Sequence, residues 1–591
     1  MNAVLAGLLL EGAAPELAAV GLGNLVKDHL RTPLDAHKLT ELLEPFGLRP
    51  KRLLGNPTIR QSVSTILTSW KESVERELLQ PAIPRAEARD LVDQLQDSRG
   101  LPLFVIGSGG GGKSAVLYQA VDRIEADGWP VLALRLDRIE PFSSTTELGQ
   151  RRNLDVSPVT ALAAVAQGGP SVLVIDQLDA LSLASGRMPA TFDVIIELLR
   201  EVRAFPEMRV VLACREFDAK NDHRIRALAA TEGVGRIQVT GLSDEQVDEA
   251  VRSMGLGADR LSDKQRDLLR TPLHLVLLQT VADQPNALSF TTSRQLFDTY
   301  WDRKEQDSQQ QRPANPPRFA TVVGAMAEVM SERQRLVVPE SVLDADDLHS
   351  DAVVLISQGV LVLDGRRLAF FHEAFFDYAF ARRWINRGQS LVEFLHAGEQ
   401  ELFRRGQVRQ ILVHLRDEEP ERYVSEVEAV LSDPAVRFHI KDTVLAFLQA
   451  LTGPTAAEWQ MMARLVARAL PFADRLWVTM RTVPWFECLD AEGVIAGWLA
   501  SRNPADHAHA IEVMLGAASE RADRMAELLA PYAGHAADYP AWLSWITRFG
   551  NLHKSRALFE LVRAAIRRGD YQDIEHALWI AAHGPRHRQV G

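Results

Sequence analysis

Cysteine is nearly absent. Cys214 and Cys488 are the only two in 591 residues and lie far apart, so no disulfide framework or cysteine-based zinc site follows, and a reducing compartment fits. Long apolar runs are missing too: no stretch approaches the ~18 residues a membrane span needs. Met1 to Leu10 is apolar, but it has no basic flank and Glu11 ends it, so it lacks the form of a secretory signal. There is also no basic excess. The net charge is -12, which argues against a generic nucleic-acid surface. Hydrophobic residues at 46% and charged residues at 24% indicate a globular chain, long enough for several domains. The expectation is a cytoplasmic protein with no membrane partner.

The most informative segment present is Gly107-Ser108-Gly109-Gly110-Gly111-Gly112-Lys113-Ser114. It fits the phosphate-loop pattern of Gly, four residues, then Gly-Lys-Ser. Leu101 to Ile106 before it reads as a buried parallel strand, and Ala115 to Ile124 after it as an amphipathic helix. Glycines let consecutive backbone N–H groups surround a phosphate, and the helix N-terminus adds positive potential. Residues Gly107 through Ala115 thus form the expected nucleotide contact set. Lys113 would reach the β- and γ-phosphates, and the Ser114 hydroxyl would ligate Mg²⁺.

The surrounding pattern predicts a multidomain α/β plus α protein. Residues 1–85 read as a helical region, an adaptor or small effector, with Pro81 and Pro84 marking a linker. From 86 to 241, strand candidates at 101–106, 130–136, 171–175, 209–213 and 236–239 alternate with helices, predicting a three-layer core around a parallel sheet. Residues 242–307 are helical, with Ser243 as an N-cap followed by acids. The polar, proline-rich stretch 308–317 reads as a linker or exposed loop. Residues 318–387 run helix, helix, hairpin, helix, the order of a winged helix, with Asp364-Gly365 as the hairpin turn. From 389 to 591 the chain reads as stacked helix pairs, a solenoid of the HEAT or tetratricopeptide kind, and the last residues, 583–591, supply no polar capping helix.

Ser171 to Asp176 is an apolar strand ending in an acid, where a phosphate-loop enzyme places its Mg²⁺-directed carboxylate. Asp179 follows as a second carboxylate, a candidate to orient water or a helix N-cap. Arg215 ends the next strand and is a candidate γ-phosphate sensor or one half of a surface ion pair. Asp218, Asn221, Asp222 and Arg224 follow in a polar loop. Pro272 opens a helix after Thr271, either packing on the base of a nucleotide or simply initiating the helix. His372 begins the helix after the hairpin, where a histidine is more often structural than a ligand contact.

Taken together, these motifs resemble the STAND-class P-loop ATPases of the NACHT and AP-ATPase kind, among them bacterial antiphage sensors and animal NOD-like receptors. The resemblance covers about residues 86–388. It implies an additional-strand (ASCE) core that binds ATP or ADP with Mg²⁺. It implies Asp176 in the Walker B acid set, Arg215 as sensor 1, Pro272 against adenine, and His372 on the ADP β-phosphate, locking the resting state. It also implies a trigger, protein or other, recognised through the C-terminal helical repeats, and homo-oligomer formation in the ATP state. One departure stands out: Ala180 occupies the position where a glutamate often follows Asp179, which points to slow hydrolysis.

Two other readings compete. A DNA-acting ATPase would need a basic winged helix, yet residues 312–387 hold nine arginines and no lysine against ten carboxylates. Arg366, Arg367, Arg382 and Arg383 are the local exceptions. A non-catalytic scaffold would bind nucleotide tightly without turnover or change of assembly.

Overall fold

The computed structural model describes residues 57–97, 101–183, 188–344, 346–468 and 471–532, with a few short stretches before and after. The expectations for residues 1–56 and 533–591 lie almost wholly outside the described residues. Two compact units emerge. One holds residues up to 383 together with 401–407; the other holds 384–400 and 408 onward. Among the described residues, no helix is long and apolar enough to cross a membrane.

The first unit is built on a five-stranded parallel sheet. Helices α1 (Pro57–Glu75) and α2 (Ala86–Asp97) precede β1 (Pro102–Gly107). Then come α3 (Lys113–Ala126), β2 (Val131–Arg135), α4 (Pro158–Ala166), β3 (Ser171–Asp176), α5 (Phe192–Val202), β4 (Met208–Arg215) and β5 (Gly235–Val239). The spatial order is β2–β3–β4–β1–β5, with every neighbouring pair parallel. The phosphate-loop strand β1 and the acid strand β3 are therefore separated by β4, as in an ASCE-type P-loop fold. Strands β1, β2 and β3 are buried along their whole length, which is why they read as unbroken apolar runs. Side chains on the two faces feed two cores. Phe104, Leu134 and Ile175 face α4 and α5, while Val105, Ala133 and Val174 face α2 and α3.

Four helices follow the sheet: α6 (Asp244–Ser253), α7 (Asp263–Leu269), α8 (Pro272–Thr280) and α9 (Ser293–Gln311). Ser243 caps α6 through a capping box closed by Gln246. The expected linker at 308–317 is shorter than its composition suggests. Helix α9 continues through the glutamine run to Gln311 and buries Ser308, because no proline interrupts it before Pro313 and glutamine is a good helix former.

Helix α10 (Phe319–Arg333), strand β6 (Val338–Pro339), helix α11 (His349–Ser357), strands β7 (Leu361–Asp364) and β8 (Arg367–Phe370), and helix α12 (Glu373–Ile385) come next. The strands form an antiparallel sheet in the order β6–β8–β7. Asp364 pairs with Arg367, so the hairpin turn is Gly365-Arg366 and not Asp364-Gly365. Gly365 sits at φ +62° while Arg366 does not share the positive φ, the pattern of a type II′ turn. The register is fixed by the second partner of β8, since Leu368 also pairs with Val338 of β6.

Aromatic packing sets the start of α12. Phe297 stacks on Tyr378 at 5.2 Å, Tyr300 meets Phe375 at 5.5 Å, and Trp301 meets Phe319 at 5.1 Å. Burial of each such ring contributes on the order of 2 kcal/mol. The phenylalanine-rich run after the hairpin thus anchors α12 on α9, with His372 and Glu373 at its N-terminal end.

Every regular element among the described residues of the second unit is a helix. Residues 34 to 37 positions apart meet across its helices, as when Trp485 Nε1 donates to Leu448 O at 2.8 Å. Ion pairs follow the same spacing: Arg464 with Glu428 at 2.8 Å and Arg524 with Asp490 at 2.8 Å.

Candidate functional site

The phosphate loop has the backbone the motif requires. Gly110 and Gly112 lie at φ +69° and +93°, a region that costs other residues ~1–2 kcal/mol. Gly111 is glycine for space: a Cβ there would lie 2.5 Å from Ser108 Oγ. Lys113 is buried, and its Nζ donates to the carbonyls of Gly107 at 3.2 Å and Ser108 at 2.8 Å. Burial lowers its pKa, opposed by the carboxylates of Asp179 and Asp176. Ser114 and Ala115 begin α3 directly behind the loop.

Ser114 Oγ donates to Asp176 Oδ2 at 3.0 Å, which joins the two expected metal-site residues. Asp176 is fully buried, and its other oxygen accepts from the Gln177 N–H at 2.9 Å. Burial raises its pKa to about 6, with the Arg135 guanidinium opposing. Arg135 lies beside Asp176 in the sheet register and ion-pairs with Glu77 at 2.7 Å and Asp137 at 3.0 Å. Gln177, next to the acid, takes φ +60°, uncommon for a non-glycine residue and frequent near functional groups.

Asp179 is buried in a short 3₁₀ turn, where Gln177 and not Asp179 holds the cap position. Its Oδ1 accepts from the Arg215 N–H at 3.2 Å, and its Oδ2 pairs with Arg215 Nε at 2.9 Å. Arg215 also pairs with Glu373 of α12 through Nη2. Its pKa is raised, first by Glu373 and then by Asp179, with burial opposing. The guanidinium therefore bridges the acid turn and the helix after the hairpin. The polar loop beyond it is a brace. Arg224 pairs with Asp222 at 2.9 Å and donates to Leu181 O and Pro189 O at 2.8 Å each, which fixes the segment carrying Asp179. Asp218 is buried in the short helix after Arg215.

Pro272 and His372 line one cleft with Gly110 to Ala115 and Gln177. Pro272 is the first residue of α8, and a Cβ on Gly112 would lie 3.2 Å from its Cγ. His372 Nδ1 accepts from the Ala374 N–H at 3.0 Å, which places the ring proton on Nε2. Burial lowers its pKa, while the Glu77 and Glu373 carboxylates raise it. A neutral histidine is thus presented with its N–H donor on the free side of the ring.

The sequence reading missed residues of the 77–85 segment. Gln119 of α3 pins this segment over the loop: its Oε1 accepts from Arg85 N at 2.9 Å and its Nε2 donates to Ile83 O at 2.8 Å. Arg85 is buried, with Nη2 donating to Glu87 at 2.6 Å and Thr240 O at 2.7 Å. Its Nη1 is buried without a hydrogen-bond partner and lies 3.6 Å from where a Gly112 Cβ would sit. The available signal was an arginine and a glutamate flanking a helix start beside Pro84, read only as a linker.

No protein-family model and no curated protein matches the chain. Solved structures overlap part of it. A Walker-type ATPase of Pyrococcus abyssi aligns over 51% of this chain and 96% of its own, at 12% identity and a TM-score of 0.30. DnaA from Aquifex aeolicus bound to AMPPCP aligns over 59% and 92%, at 14% identity and a TM-score of 0.27. ORC1 of Aeropyrum pernix in complex with DNA aligns over 51% and 93%, at 14% identity and a TM-score of 0.26. At such scores the functional assignment rests on the site's own geometry.

Proposed function

We propose that this chain is an ATP-binding switch ATPase of the STAND class, held at rest by ADP and opened by a trigger. The single observation behind this reading is that His372 and Glu373, at the start of α12, reach the phosphate loop and Arg215 within one unit. Lys113 would leave the loop carbonyls for the β- and γ-phosphates. Ser114 and Asp176 would hold Mg²⁺, which supplies charge neutralisation of the phosphates when bound. Pro272 would pack on the adenine, and the Arg85 Nη1 donor would find its acceptor on the nucleotide. His372 would donate from Nε2 to the ADP β-phosphate.

Arg215 carries the discrimination in this reading. A γ-phosphate competes with Glu373 for the same guanidinium, so ATP weakens the tie to α12 while ADP leaves it intact. Only such a difference in affinity between the two states can drive opening. Asp179 orients Arg215, and with Ala180 beside it the site has no second acid there, which fits slow turnover. Residues 308–388 act as the winged-helix domain, 389–591 as a helical-repeat sensor, and 1–85 as adaptor or small effector. The ATP form would assemble as a homo-oligomer in cytoplasmic defence or regulatory signalling.

The test is nucleotide preference in His372→Ala. Loss of one charge-assisted hydrogen bond should weaken ADP on the order of tenfold while changing ATP much less. Equal loss for both nucleotides would remove His372 from the clamp.

A further inference from the structure

We propose that a second cleft of the first unit, between α1, the segment after β2 and the β7–β8 hairpin, binds a small ligand bearing several phosphate groups. It shares no lining residue with the phosphate-loop cleft. Its volume is about 710 Å³, the size of a small-molecule site.

The lining is rich in arginine and contains no lysine. Arg76 comes from α1, and Arg135 and Arg138 from the end of β2. Arg151 and Arg152 follow in the next loop, and Arg366 and Arg367 come from the hairpin. Arginine forks match phosphate oxygens in pairs, which a lysine point charge does not.

Carboxylates satisfy only part of this set. Glu77 and Asp137 answer Arg135, and Glu77 also answers Arg138 at 2.8 Å. Arg151 pairs with Glu140 and Glu147 at 2.9 Å each, and Arg367 also meets Glu140. Three arginines remain. Among the described residues, Arg152 ion-pairs only with Asp364, at 3.8 Å. Arg76 and Arg366 are exposed and make no ion pair among the described residues. Burial disfavours the charged forms of Arg138 and Arg152, a cost that a bound anion offsets.

Size and charge favour a small ligand over a nucleic-acid strand. The cleft is concave, and buried Trp70 and Ile139 lie in its wall. The chain as a whole carries -12, with no arginine or lysine excess across residues 312–387 to follow a long phosphate backbone.

The test uses the full chain saturated with ADP, so that the phosphate loop is occupied. Tripolyphosphate is titrated calorimetrically into wild type and the Arg76→Gln/Arg366→Gln double variant. Both side chains are exposed, and an unchanged melting temperature and ADP affinity would show that fold and nucleotide site are intact. The expected result is one bound equivalent, with an affinity at least ~10-fold weaker in the double variant. No saturable binding, or binding that the double variant leaves unchanged, overturns the proposal. A parallel titration with a single-stranded oligonucleotide distinguishes the ligand classes. Tighter oligonucleotide than tripolyphosphate binding, lost in the double variant, would reassign the cleft to nucleic acid and also overturn it.

Discussion

Asp176→Asn should stabilise the nucleotide-free protein at neutral pH while removing its response to Mg²⁺. Asp176 is fully buried and its carboxyl titrates at about 6 instead of the ordinary 3.8. The folded state thus holds the proton more tightly than the unfolded chain. Stability from this group is complete below the ordinary value and is lost as pH rises through about 6. At ~1.4 kcal/mol per pH unit, the cost of ionising Asp176 by pH 7–8 is on the order of 3 kcal/mol. Asparagine keeps an oxygen for the Gln177 N–H and offers an amide to the Ser114 hydroxyl, so the cost disappears without a cavity. A gain of this size corresponds to roughly 5–10 °C in the melting temperature of the unit that unfolds. The assay is thermal melting of chelator-treated protein from pH 5 to pH 8. The variant should gain most at pH 8 and roughly half as much near pH 5, because the cost of the ionised form already grows above the ordinary value of 3.8, and Mg²⁺ with ATP should stabilise wild type only. A variant melting at or below wild type at pH 8, or a difference independent of pH, would refute the argument.

Two further substitutions probe the loop and the bridge. Gly112→Ala meets both a φ of +93° and the Pro272 ring at 3.2 Å, so it should cost ~1–2 kcal/mol of strain and weaken a fluorescent ATP analogue at least ~10-fold; unchanged affinity would mean that the loop backbone does not enclose the phosphates. Glu373→Gln removes the charge that most raises the Arg215 pKa, so it should shift the ATP-to-ADP affinity ratio toward ATP, and a ratio equal to wild type would show that Arg215 is not shared between α12 and the γ-phosphate.

The phosphate loop, its strand and its helix were legible because their chemistry is local. The five core strands were legible to within one or two residues, four of them because strands buried on both faces need continuous apolar side chains and β5 because its apolar residues alternate with exposed polar ones. The hairpin turn was misplaced by one residue, since Asp-Gly satisfies one turn type and Gly-Arg another, and the choice was made by β6, a distant two-residue strand. The glutamine run at 308–311 looked like linker by composition, yet its helix is set by α9 packing. Gln119 and Glu77 carry no local signal, and Arg85 only its place at a helix start beside Pro84. Their roles depend on the 77–85 segment folding back over α3, a long-range juxtaposition. Pro272 was legible as a base contact or a helix start, the His372 role came from the family resemblance, and the fold brings both to the phosphate-loop cleft.

The central claim is a nucleotide-controlled change of assembly. Its most direct test is molar mass by light scattering for the full chain in ADP and in a non-hydrolysable ATP analogue, for wild type and His372→Ala. The account predicts a wild-type monomer in ADP, a larger species in the ATP analogue, and a variant that assembles more readily. One mass in both nucleotides, unaffected by the substitution, would contradict it and leave a nucleotide-binding scaffold.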